Sequence, residues 1–67
     1  MKTFVVSATW EKYSLNKKIE LLDKFSKNLS NERVFFDFEK LEYIDSSGII
    51  LLIKKIQNLK KQNCDIE

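Results

Sequence analysis

A run of strand-forming residues, Val34-Phe35-Phe36-Asp37-Phe38, is followed, eight positions after its aspartate, by a second aspartate, Asp45, that opens an apolar helix pattern. No other feature limits the folds open to the chain so strongly. In the run, Val34, Phe36 and Phe38 point one way and Phe35 and Asp37 the other, so only Asp37 breaks an otherwise apolar strand, as cover on both faces would require. Leu41, Tyr43 and Ile44 then return the chain to the core before Asp45-Ser46-Ser47-Gly48. Beyond it, Ile49, Leu52, Ile53, Ile56 and Leu59 recur at helical steps of three and four, with lysines on the opposite face and near the end, where they complement the helix dipole. A strand leading to a helix N-terminus is the unit of an open α/β layer, whose working groups collect at the carboxyl edge of the sheet. Two carboxylates and two hydroxyls are expected at that edge.

The remaining segments complete the same pattern. Thr3 to Ser7 is rich in β-branched and aromatic residues and reads as a first strand covered on two sides. Ala8 to Tyr13 has no period and reads as a connecting loop, with Trp10 and Tyr13 packed on the domain edge. Ser14 is placed to cap a helix in which Leu15, Ile19, Leu22, Phe25 and Leu29 form the apolar stripe, closing near Asn28 to Asn31. Arg33 to Phe38 is the second strand, Glu39 and Lys40 its turn, Asn63 the terminator of the second helix, and Cys64 to Glu67 a short third strand.

The order is βαβαβ: an α/β fold with a small parallel or mixed three-stranded sheet and two helices, in a single domain over residues 1–67. Right-handed crossovers between neighbouring parallel strands would leave both helices on one sheet face. Phe35 and one face of the first strand would then lack cover, which a homodimer or a binding partner would supply.

With 67 residues the chain has room for one core, and a domain of this size buries only about 60% of its unfolded surface. Hydrophobic residues make up 43% and charged residues 33%, the balance of a folded domain. A net charge of +2 from 12 basic and 10 acidic residues gives no field that demands nucleic acid or a membrane surface. The absence of histidine removes the usual general base and zinc ligand, and the single cysteine, Cys64, has no internal disulfide partner. A reducing, cytoplasmic setting fits this usage. The longest apolar run, Ile49 to Ile53, is far short of the roughly 18 residues a membrane span needs, so no membrane insertion is expected.

The Asp45-Ser46-Ser47-Gly48 step has a plain reading, because aspartate and serine are the standard residues for capping a helix N-terminus. Gly48 adds something, since glycine in a first turn is unfavourable by up to about 1 kcal/mol relative to alanine and implies a close approach to the backbone. The functional reading is phosphorylation of Ser46 or Ser47. A phosphate there would meet free helix amides, while Asp45 and Asp37 would make the surface strongly acidic.

These residues, Val34-Phe35-Phe36-Asp37-Phe38, then Leu41, Tyr43, Ile44 and Asp45-Ser46-Ser47-Gly48-Ile49, resemble the central motif of the STAS domain family, the anti-sigma factor antagonists and their relatives. The likeness covers Arg33 to Asn63 closely, and the upstream helix agrees in position. It implies a non-enzymatic interaction module that docks on a protein partner, typically an anti-sigma factor with serine kinase activity, and is released on phosphorylation. By motif position the acceptor is Ser46, with Ser47 helping to cap the helix, Asp37 and Asp45 as acidic surround, and Gly48 admitting the partner. A use in transcription regulation is implied.

Family members are commonly longer, so the resemblance is to a domain shortened at both ends, and Ser7-Ala8-Thr9-Trp10 stands where a glycine and aspartate motif is usual. STAS-like domains also resemble accessory subunits of lipid-exporting ABC transporters, in which the serine need not be phosphorylated and a helix face docks on the ATPase. An enzyme with Ser46 as nucleophile lacks a histidine or motif lysine to activate it. Asp37 and Asp45 alone make a weak metal site, so neither metal nor cofactor is expected.

Overall fold

In the computed structural model, which describes all 67 residues, Met1–Glu67, the elements run β1 (Lys2–Val5), β2 (Ala8–Trp10), α1 (Leu15–Ser26), β3 (Arg33–Asp37), β4 (Leu41–Ile44), α2 (Ser46–Lys61) and β5 (Asp65–Ile66). The α/β class and the three-stranded parallel sheet are as the sequence indicates. That sheet has the order β1-β3-β5, with Phe4 opposite Phe36 and Val34 opposite Ile66.

A second, two-stranded sheet has no counterpart in the sequence pattern. Ala8–Trp10 is not a loop but a strand parallel to Leu41–Ile44, with Trp10 opposite Ile44. Three residues are too few to show a period, and the partner strand is distant in sequence, so pairing alone creates this strand. The chain turns from one sheet into the other at Ala8, whose φ of 61° lies in the left-handed region, and the register shifts between Ala8 and Thr9. An L-residue other than asparagine is strained there. Trp10 is also not at the domain edge: it is 1% exposed, its ring lies 5.9 Å from that of Phe4, and its Nε1 donates to the Ser7 carbonyl at 3.0 Å. Tyr13, in contrast, is exposed.

Both helices lie on one face of the three-stranded sheet, because Leu22 of α1 and Leu52 and Leu59 of α2 share a single core with Phe4, Val34 and Phe36. Lys55 of α2 reaches Asp23 of α1 at 2.8 Å across the layer. The other sheet face is bare. Val5 and Phe35 are exposed there, so β1 and β3 are covered on one side and not on two. Phe38 lies beyond the end of β3 and is exposed, whereas Val34 and Phe36, with which alternation grouped it, are buried.

The helix boundaries follow local chemistry with one exception. Ser14 occupies the cap position of α1 without capping it, since its hydroxyl turns back to the preceding loop, where the carbonyls of Thr9 and Glu11, each at 3.1 Å, compete for its one proton and the Glu11 amide donates to it. Beyond α1, Asn28 and Asn31 take positive φ, and Asn63 does so after α2, where asparagine tolerates the left-handed region better than most residues. No helix is long and apolar enough to cross a membrane.

Candidate functional site

Asp45 holds together the turn that links β4 to α2. Its backbone is extended, with φ −101° and ψ −178°, so the carboxylate folds over the first helical turn and Oδ1 accepts from the Gly48 amide at 3.0 Å. The second oxygen, Oδ2, accepts from the Lys12 amide at 3.0 Å, and the Asp45 amide donates to the Trp10 carbonyl at 3.1 Å. One residue thus caps α2 and ties it to the end of β2. Hydrogen bonds from the Gly48 amide, first, and the Lys12 amide, second, hold the Asp45 carboxyl below its ordinary value of 3.8. It is therefore ionised at neutral pH.

Gly48 is buried, and the close approach implied by glycine is made within the chain. A Cβ at this position would lie 2.3 Å from the Trp10 carbonyl oxygen and 2.8 Å from Ile44 Cγ1. The first turn of α2 sits directly on the β2 backbone. Within the chain the glycine lets helix and strand touch.

Ser46 is the first residue of α2 and is exposed; Ser47 is half-buried, and neither hydroxyl is engaged in a side-chain hydrogen bond. The first amides of a helix have no partner within it, and here the Asp45 carboxylate occupies that of Gly48. Asp37, at the carboxyl end of β3, turns to its own loop: Oδ1 accepts from the Glu39 amide at 3.0 Å, and its carbonyl accepts from the Val6 amide at 2.8 Å. No hydrogen bond joins Asp37 to the Asp45 turn. Hydrogen bonds tie the Asp45-Ser46-Ser47-Gly48 turn to Lys12 and Trp10, while Asp37 makes its own bonds to Val6 and Glu39. Nowhere do three or more Asp, Glu, Cys or His side chains converge on one point.

Beside this turn runs an apolar groove of about 370 Å³, lined by Phe38, Leu41 and Ile44 on one wall and Ile49, Leu52, Ile53 and Ile56 of α2 on the other. By periodicity and alternation these side chains belong to the core. The available signal was an apolar surface on α2 wider than one stripe, because Ile50 adds to Ile49 and Ile53 on the outer side. Ser46 lies three and seven residues before Ile49 and Ile53, on the same helix face. Comparison with protein families, with curated proteins and with solved structures gave no match to this chain.

Proposed function

We propose that the chain is a protein-interaction module of the anti-sigma factor antagonist kind, resembling a STAS domain, and that phosphorylation of Ser46 switches it. The observation that carries this reading is an exposed, unengaged hydroxyl at the first residue of α2, next to a carboxylate held ionised by the Gly48 and Lys12 amides. Phosphate on Ser46 would add about 1.5 to 2 negative charges beside Asp45 at neutral pH. The helix amides and dipole favour that charge locally, so α2 stays formed. A docked protein, however, would face an acidic patch where there had been a neutral hydroxyl. Because Asp45 already caps the helix, the change falls on the surface and not on the fold. Charge reversal of this kind acts on association, since like charges brought together at an interface are strongly unfavourable.

Mass spectrometry of the chain recovered from its own cells tests the proposal. One phosphate is expected on Ser46, none on a Ser46→Ala chain, and retention of the phosphate on a Ser47→Ala chain. A Ser46→Asp chain should lose the protein that copurifies with the unmodified form. Phosphate confined to Ser47, or undiminished copurification by the Ser46→Asp chain, would reject the reading.

A further inference from the structure

The N-terminal arm, Met1 to Ser7, joins the rest of the chain through one strained residue. Ala8 has φ 61°, and the other residues with positive φ, Asn28, Asn31 and Asn63, are all of a type that tolerates the left-handed region. Ala8 is exposed, so no packing of its own side chain holds it there. The position of the arm does.

The arm in turn is held by residues beyond that joint. The Phe4 ring packs on those of Trp10, Phe25 and Phe36 at centroid distances of 5.9, 5.2 and 5.9 Å, and the Val6 amide donates to the Asp37 carbonyl at 2.8 Å. The Ser7 carbonyl accepts from Trp10 Nε1 at 3.0 Å and Lys18 Nζ at 3.4 Å. As an edge strand, β1 has β3 as its sole strand partner. Such an arm fits the body of a second copy as well as its own: exchange conserves these contacts, and only the joint changes.

We infer that the arm exchanges between two copies of this chain. In the two-fold dimer, β1 of each copy pairs with β3 of the other, with Phe4 opposite Phe36 as before, and Ala8 opens to an extended φ. The left-handed penalty is present in each closed monomer and absent from both joints of the pair, so strain favours exchange. Against it stand the lost freedom of one copy and the bond from the Ala8 amide to the Lys40 carbonyl, 3.2 Å in the closed chain. The pair therefore forms at high concentration, once the arm has been released. The two joints must meet at the two-fold axis, and Ala8, Thr9 and Lys40 around each joint are all exposed.

Sedimentation equilibrium of the full chain, refolded from urea at up to about 1 mM, tests the exchange. No kinase or foreign protein is present, so the result is independent of the role assigned to Ser46. A monomer–dimer equilibrium is expected. A8G should weaken it by about tenfold or more with the far-ultraviolet circular dichroism unchanged, and A8V should strengthen it, because a β-branched residue is worse in the left-handed region. Two single-cysteine chains identify the contact: T3C/C64A and F35C/C64A, refolded together and air-oxidised, should form disulfides between unlike chains, since Thr3 lies opposite Phe35 and both are exposed. A chain monomeric throughout the range, or a dimer indifferent to A8G, would overturn the inference. So would disulfides that are absent or join only like chains, as edge-to-edge pairing of β1 with β1 would give.

Discussion

On the sheet side of α2, Leu59 shares the core with Leu22, Val34 and Phe36, while on the groove side Ile49 and Ile53 stand half-exposed above Phe38 and Ile44. The residue types are nearly the same. What differs is the number of layers over them: α1, the three-stranded sheet and Trp10 close the first side, and only the edge of a two-stranded sheet reaches the second. Side chains on the closed side contribute to folding, whereas those on the open side can contribute when something else covers them. A domain of this size leaves much of its apolar surface out of the core, and here that surface lies next to the exposed Ser46 hydroxyl.

The contrast is broken most directly by truncating one residue from each side. Trp10→Ala should lower unfolding free energy by about 3–5 kcal/mol, enough to unfold much of a domain this small. Ile53→Ser in dilute solution should change it by about 0.5 kcal/mol or less. Urea denaturation reads both, and comparable losses would mean that the open side is part of the core. Gly48→Ala sharpens the boundary between the regions. Its Cβ has no room beside the Trp10 carbonyl, so despite alanine's better helix propensity it should destabilise by about 1–3 kcal/mol. A neutral or stabilising result would show that α2 is free to lift from β2.

Ala8→Gly examines the strained joint between the two sheets. Removing the left-handed penalty gains about 1 kcal/mol, offset in part by the freer unfolded chain, for a net gain of about 0.5 kcal/mol in thermal denaturation. The finest effect is confined to acid. The folded-state pKa of Asp45 lies below its ordinary value of 3.8, so its contribution is present above that value and is lost as pH falls through the lower, folded value. Asp45→Asn should flatten the acid limb of a melting temperature against pH profile while leaving the neutral plateau nearly level. An unchanged acid limb would mean that the hydrogen bonds from Gly48 and Lys12 do not favour the ionised form.

Local patterns in the chain specify most of the elements. The periodicity of α1 and α2, the β-branched and aromatic runs of β1 and β3, the asparagines that close both helices and the Asp45 cap all arise from interactions among near neighbours, and they appear where the residues indicate. The placement of both helices on one sheet face follows from crossover chirality once the strands lie in the order β1-β3-β5, and with it the exposure of Phe35. Strand β2 has no comparable signature, because its hydrogen-bond partner lies more than thirty residues away and the segment acquires strand character only through Leu41–Ile44.

The same physical division applies at the site. The acidic, hydroxyl-bearing turn is a local construction, and its residues are adjacent in the chain. The second bond of Asp45 to Lys12 and the contact of Gly48 with Trp10 depend on how two sheets are set against one helix. Hydrophobic pattern states which side chains avoid water, since that is a property of each residue. Whether Ile49 and Ile53 achieve this within the chain depends on which surfaces meet them, and long-range packing leaves that face of α2 open.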